Sequence, residues 1–432
     1  MSPFNATPEV ESGRRRVLFF AEAVTLAHVA RPLVLAQSLD SALYQICFAC
    51  DPRYDKLLNG LPFERKSISS ISSERFLAAL AKGSPVYDLD ALRSYVQEDL
   101  EVIRGFNPDL IVGDFRLSLS VSARLAKIPY VAISNAYWSP YARQKFPMPD
   151  LPMIRYLGLR LSQAIFKLAR PIAFALHTVP MNRLRKENGL PSIGWDLRKI
   201  YTDGDYTLYA DIPELVPTCN LPPNHQYIGP ILWSAPVSIP EWWNDLPSDK
   251  PLVYVTLGSS GNSDLLPLLL EALGNLPVNV IAATAGRVVP KRIPKNCWLA
   301  DFVSGEAAAS RSSLVICNGG SPSTHQALAA GTPVLGICSN LDQFLNMQRI
   351  QSQGAGLVIR AGKYTSRGFI AAVSAILLEH SYRKAAETAN AAFRRNQATD
   401  RFKRIVSRLL RLQLGNELSL AKNIGKQNEW VR

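Results

Sequence analysis

The sequence predicts an α/β protein made of two halves, each built on a parallel sheet. Short apolar runs alternate with helix-length amphipathic segments, the signature of βαβ units. A length of 432 residues suits two domains rather than one core. Nine prolines fall between Pro213 and Pro251, a density that marks an inter-domain linker. Together these divide the chain into a first half over 14–235, a linker over 236–250, a second half over 251–395 and a basic terminal helix over 396–415.

The first half opens with a loose tail over 1–13, and Arg14-Arg15-Arg16 then leads into the buried-strand signal Val17-Leu18-Phe19-Phe20. Leu26 to Leu39 reads as a helix, with Val29, Leu33, Ala36 and Leu39 on one face. Tyr44 to Cys50 is a second strand, Asp109 to Asp114 a strand ending on a carboxylate, Ser118 to Ala126 a helix and Ile128 to Ser134 the next strand. Asp150 to Lys186 is less regular and more basic. The second half repeats the alternation, with strands at Leu252–Leu257, Val278–Ala282, Leu314–Cys317 and Val334–Ile337. Asp400 to Leu414 is a basic helix followed by a polar tail.

Composition excludes several classes. Hydrophobic residues make up 47% and charged residues 19%, too apolar for a disordered chain. Six cysteines are too few for a disulfide scaffold, and no apolar run reaches the length of a membrane span. The basic N-terminal cluster precedes a strand-like run rather than a signal-peptide core, so a cytoplasmic, reducing setting is expected. The net charge of +13 favours anionic partners, namely a phosphate-bearing ligand, an acidic membrane surface or nucleic acid, and does not choose among them. No nucleic-acid-binding module is recognisable, and nucleic acid is not expected as a partner.

The most informative segment is Cys317 to Asn346. A strand runs into the tight turn Asn318-Gly319-Gly320-Ser321, then a helix from Pro322 to Ala330, with Ser321 as the expected N-cap. Glycines at a helix start let backbone N–H groups approach an anion, and the helix dipole adds about half a positive charge there. Asn318 to Leu328, Gly331-Thr332-Pro333, and Asp342-Gln343 with Asn346 resemble the donor-binding signature of the UDP-glycosyltransferases, which include bacterial macrolide and antibiotic enzymes. Tyr227-Ile228-Gly229-Pro230 and Val255 to Ser259 are also similar to family segments. The resemblance implies a GT-B fold, two Rossmann-like halves facing across a cleft.

By the same resemblance, Gly319, Gly320, Ser323, Thr324 and Ser259 line the donor diphosphate. Gln326 stands where the family usually has a ribose-binding glutamate, and Asn318 where it usually has a histidine. Asp342 and Gln343 match the acidic–amide pair that bonds the sugar hydroxyls. Carboxylate and amide suit this task, because one accepts and the other both donates and accepts.

In the first half, Ala27-His28-Val29-Ala30-Arg31-Pro32 is similar to the family's Gly-His-x-x-Pro-like segment, whose histidine is the catalytic base. An imidazole of ordinary pKa, about 6.5, accepts a proton at neutral pH. The resemblance assigns Asp114 to orient His28 and stabilise the imidazolium. Asn135, Tyr137 and Trp138 follow the next strand, where they line an acceptor pocket or belong to the core. Aromatic residues there suit a lipophilic acceptor.

The implied reaction is inverting transfer of a sugar from a nucleotide-sugar co-substrate, a UDP- or dTDP-sugar, to a hydroxyl of a lipophilic natural product or lipid. It requires no metal or other cofactor. The departures at Asn318 and Gln326 keep a catalytically silent homologue as an alternative, and a nucleotide-sugar isomerase is a further one. Asp88-Leu89-Asp90 reads as helix N-terminal charge rather than a metal motif. Cys47-x-x-Cys50 reads as a buried thiol pair within a strand. The basic segments Arg155–Lys186 and Arg394–Arg411 are amphipathic, and either pack on the protein or make peripheral contact with the anionic inner face of a membrane.

Overall fold

The computed structural model describes residues 13–57, 60–258, 261–287 and 292–411. In the first sheet the strands are β1 (Arg15–Ala21), β2 (Tyr44–Cys50), β3 (Glu64–Ser67), β4 (Leu110–Asp114), β5 (Tyr130–Ser134), β6 (Tyr206–Tyr209) and β7 (His225–Tyr227). In the second they are β8 (Leu252–Thr256), β9 (Asn279–Ala283), β10 (Cys297–Ala300), β11 (Leu314–Cys317), β12 (Val334–Cys338) and β13 (Gly356–Arg360). The helices of the first half are α1 (Leu26–Ser38), α2 (Ser73–Lys82), α3 (Leu89–Phe106), α4 (Leu119–Ala126), α5 (Met153–Glu187) and α6 (Leu197–Ile200). Those that follow are α7 (Leu266–Gly274), α8 (Gly305–Arg311), α9 (Ser321–Ala329), α10 (Leu341–Ser352), α11 (Ser366–Leu378), α12 (His380–Arg394) and α13 (398–411).

The strand orders are β3-β2-β1-β4-β5-β6-β7 and β10-β9-β8-β11-β12-β13, with every pairing parallel. Each sheet reverses its winding once, between β1 and β4 and between β8 and β11. At these switch points the loops leave in opposite directions and open a crevice at the strands' C-terminal ends. Ala21 pairs with Asp114 and Thr256 with Cys317, so the turns carrying His28 and Asn318 both start at a crevice.

Two expectations need correction. The proline-rich stretch is not linker throughout: β7 lies inside it and completes the first sheet, with Ile228 buried behind it. Between Pro230 and Leu252 a 3-10 turn, Glu241–Trp243, is the one regular element. The segment read as irregular, 150–186, is mostly the long helix α5, broken at Gly158 by non-helical angles. Asp88 is the N-cap of α3 and accepts from the Ala91 N–H at 2.8 Å. Cys47 and Cys50 are buried free thiols in β2, and burial pushes both up to about 12.

The core runs through both halves. Tyr137 and Tyr209 of the first half share one buried cluster with Tyr254, Val315 and Leu328 of the second. Helix α13 returns to the first half, as its amphipathic pattern allows. Phe402, Ile405, Val406, Leu409 and Leu410 are buried against Val17, Phe19 and Leu33, with Phe402 and Phe19 ring centroids 6.1 Å apart. Its apolar side is therefore occupied by the protein itself, and Lys403, Arg404, Arg408 and Arg411 are left on the outer side. Residues 412–414 of the expected helix, and the polar tail, lie outside the described residues. Among the described residues no helix is long and apolar enough to cross a membrane.

Phe402 is fully buried, so Phe402→Ala removes a ring from the joint that ties α13 to the first sheet. A loss of about 3–5 kcal/mol in unfolding free energy is expected, read as a lower urea midpoint.

Candidate active site

The sequence from β1 to α1 places His28 at a strand-to-helix junction, and β4 ends on Asp114 beside it. His28 Nδ1 lies 2.8 Å from Asp114 Oδ1. A proton on Nδ1 donated to that carboxylate leaves Nε2 as the accepting nitrogen. The Asp114 side chain is fully buried, and His28 is 19% exposed at the edge of the cleft. The imidazole stacks on Phe115, with centroids 4.5 Å apart and planes 19° from parallel. Phe115 has φ +59°, a left-handed conformation that is costly for a bulky residue. Strain at this position turns the ring under the histidine.

Arg31 completes the cluster, and sequence reasoning missed it. Its Nε and Nη2 donate to the two Asp114 oxygens, both at 2.7 Å, and its Nη1 donates to Asn135 Oδ1 at 2.6 Å. A buried carboxylate needs such a partner, since an unpaired charge there costs several kcal/mol. The available signal was spacing: Arg31 follows His28 by three residues, which puts both on one helix face. Asn135 in turn donates to Asp211 Oδ2 at 3.3 Å, and that oxygen also accepts from the Ala136 N–H at 2.6 Å.

The second half supplies the opposite wall. Gly320, not Ser321, is the N-cap of α9, and Ser321 begins the helix. Gly319 has φ +84°, and a Cβ there would press on Cys338 Sγ and Met347 Cγ, so only glycine fits. The Asn346 amide reaches back from α10 and donates to Gly319 O and Thr324 Oγ1, both at 2.8 Å. Asn318 Oδ1 accepts from the Gly320 N–H at 3.2 Å. First-turn amides of a helix have no partner inside it; Pro322 lacks one, leaving Ser321 and Ser323 to offer theirs.

Several predicted donor residues have other work in this arrangement. Thr324 does not line the cleft: it is fully buried, and its hydroxyl faces the carbonyls of Gly320 and Ser321, so it braces the turn from behind. The Gln326 amide donates to the Trp233 carbonyl at 2.5 Å, because α9 packs against the chain leading into the linker. Gln343 Oε1 closes a capping box on α10, accepting from the Asn340 N–H at 3.4 Å, and also accepts from the Ser339 N–H at 2.8 Å, while its Nε2 is buried without a hydrogen-bond partner. Ser259 lies outside the described residues. Tyr137 belongs to the core rather than an acceptor wall, since its side chain is fully buried in the cluster that joins the halves. Asn135 and Trp138 do line the cleft.

The cavity between the halves has a volume of about 120 Å³ and opens to solvent at its mouth. His28, Arg31 and Asp114 border it on one side, and Gly320, Ser321 and Asp342 on the other. Phe76, Leu80, Leu117, Ile200 and Tyr201 form an apolar wall beside the histidine. The halves touch where Trp138 Nε1 donates to Asp342 Oδ1 at 2.7 Å. Burial raises the Asp342 pKa, and the Trp138 bond opposes this without cancelling it. An imidazole paired with a buried carboxylate faces a helix N-terminus across an apolar-walled cleft, an arrangement suited to group transfer. Set between two Rossmann-like sheets, it is that of a GT-B glycosyltransferase.

Comparison with known proteins agrees. Residues 267–408 match the family model for the C-terminal domain of erythromycin biosynthesis protein CIII-like proteins. A PGL/p-HBAD biosynthesis glycosyltransferase of Mycobacterium tuberculosis (strain ATCC 25177 / H37Ra) is 54% identical over 389 residues, 90% of this chain and 91% of the relative. A PGL/p-HBAD biosynthesis rhamnosyltransferase of Mycobacterium bovis (strain BCG / Pasteur 1173P2) is 52% identical over 412 residues, 95% of this chain and 91% of the relative. The chain belongs to this family of PGL/p-HBAD biosynthesis glycosyltransferases. Among solved structures, the glycosyltransferase of kitacinnamycin shares the fold at TM-score 0.68 with 17% identity, covering 92% of this chain and 99% of that one. The glycosyltransferase VinC, solved in complex with dTDP, does so at TM-score 0.62 with 18% identity, covering 92% and 98%.

The raised pKa of Asp342 has a consequence for stability. The folded protein binds this proton more tightly than the unfolded chain, so ionisation opposes folding. The cost is fully present above the folded pKa and vanishes below the unfolded value of about 3.9. Asp342→Asn is therefore expected to melt at a higher temperature than wild type at pH 7. The two melting curves converge as the pH falls towards about 4.

Proposed function

We propose that this glycosyltransferase is an inverting enzyme. It moves a sugar from a UDP- or dTDP-sugar to a hydroxyl of a lipophilic small molecule, a lipid or natural product. The observation that carries the reading is the His28–Asp114 pair facing the N-terminus of α9 across one cavity with an apolar wall. The relatives, glycosyltransferases of PGL/p-HBAD biosynthesis, support an acceptor of this kind.

His28 Nε2 takes the proton of the acceptor hydroxyl, and Asp114 stabilises the imidazolium that forms. The acceptor oxygen attacks the anomeric carbon from the face opposite the nucleotide. The bond from that carbon to the diphosphate oxygen breaks, and the diphosphate leaves with the electron pair. The amides of Ser321 and Ser323 and the dipole of α9 stabilise its charge. Gly319, Gly320 and Asn318 shape this turn, and Gln326 keeps its carbonyl oxygen for the ribose. Asp342 and the unpartnered Gln343 Nε2 supply an acceptor and a donor for the sugar hydroxyls. A sugar bound to Asp342 displaces or shares the Trp138 N–H. Asn135 and Trp138 hold the acceptor near His28. The Asn318 and Gln326 departures leave every one of these contacts chemically feasible, and the intact His28–Asp114–Arg31 cluster argues against a silent homologue. The enzyme works in the cytoplasm with peripheral contact at the inner face of the membrane, where a soluble anionic donor meets a lipophilic acceptor.

Thermal shift with UDP, dTDP, GDP and their sugars tests the donor. A ligand at about 100 times its Kd stabilises by about 2.7 kcal/mol, and a shift selective for one base is expected. His28→Ala is expected to keep that shift while kcat falls by about 10²–10⁴. Wild-type turnover in this variant would remove His28 from the base role.

A further inference from the structure

No residue of α5 lines the cleft between the halves. Helix α5 buries Phe174, Thr178, Met181 and Leu184 against the body of the protein. A surface helix ordinarily carries polar residues opposite such a face. Here Leu161, Ile165, Leu168, Ile172 and Leu176 lie there instead, at spacings of four, three, four and four residues. They are 53, 37, 80, 67 and 60% exposed. The spacing sets them in one outward stripe about 22 Å long. Tyr156 and Leu157, 81 and 43% exposed, carry the apolar surface across the break at Gly158. A continuous apolar surface of this extent marks a site of interaction.

Charge selects the occupant. Residues 151–186 contain no Asp or Glu but seven Arg or Lys. Arg170 lies over the Phe146 ring at 4.2 Å and Arg185 is buried, bonded to the Pro191 carbonyl and Ser120. The other five, Arg155, Arg160, Lys167, Arg183 and Lys186, are exposed around the stripe. A second copy of this helix set against the first would bring these cations face to face. An anionic lipid surface instead accepts the apolar stripe into its acyl boundary and the cations among its headgroups. The other basic helix, α13, has no comparable stripe to offer, since its apolar side is buried against β1.

We propose that α5 is the element by which the enzyme lies on an anionic bilayer. The proposal rests on the lipophilic-acceptor reading for its purpose and deepens it. On its inner side, Pro180 and Met181 border a small cavity with Leu117, Ile200 and Tyr201, and the last three also wall the main cleft. Docking through α5 thus sets the apolar wall of the cleft next to the membrane that dissolves the acceptor.

The test uses the full chain with vesicles of phosphatidylcholine, alone or with about one third phosphatidylglycerol. Co-sedimentation with the anionic vesicles, weakened by salt and at least tenfold lower with the neutral ones, is expected. Leu168→Ser, Ile172→Ser and Leu176→Ser combined are expected to lower partitioning at least tenfold. The exposed positions leave melting temperature and transfer to a water-soluble phenol unchanged. Wild-type protein that ignores anionic vesicles overturns the proposal, as does a triple variant that partitions like wild type. A wild-type dimer by light scattering that the triple variant converts to monomer, without vesicle binding, assigns the stripe to a second copy and also overturns it. Vesicle binding without transfer to any lipophilic acceptor would instead count against the acceptor reading alone.

Discussion

The site depends on the fully buried carboxylate of Asp114. Such a charge is tolerated only when it is paired and hydrogen-bonded, and its partners fix the geometry around it. Arg31 grips both oxygens from α1, Asn135 holds Arg31 from the end of β5, and Asp211 holds Asn135 from the end of β6. One polar chain therefore crosses the C-terminal ends of four neighbouring strands and delivers His28 to the cleft. Asp211 also stands 3.4 Å from His325 on α9, so the chain that holds His28 reaches the back of α9.

The second half solves a similar problem with neutral groups. Backbone groups exposed by a tight turn must be held without being used up. Asn318 ties the Gly320 amide, Asn346 ties the Gly319 carbonyl, and Thr324 fills the space behind them. The amides that follow, at the start of α9, are left for a ligand. The two halves are further joined by Trp138 to Asp342 and by Arg360 to Asp150 at 2.6 Å. Trp138 and Asp342 meet at the wall of the cavity, whereas Arg360 and Asp150 pair outside it.

Two basic amphipathic helices look alike as sequence and differ in place. Helix α13 meets an uncovered face of the first sheet and buries its leucines there. Helix α5 is held by the residues of its opposite side, among them Phe174 and Met181, so its leucine stripe turns outward. Periodicity reports that a helix has an apolar face but not which of two faces a sheet will take.

Local signals made much of this protein legible. The alternation of strands and helices set the fold class, since period-two and helical patterns are written in consecutive residues. The glycine turn before α9 could be read for the same reason, whereas His28 and Asp114 were marked by resemblance to a family segment rather than by periodicity. Tertiary structure decided the rest. Tyr137 became core and Thr324 a brace because exposure depends on what packs above a residue, which no local pattern records. Arg31 entered the site because a buried charge on β4 required it, and that burial exists only once the sheet has formed. The outward-facing apolar side of α5 was likewise settled by which of its faces the folded body had already covered.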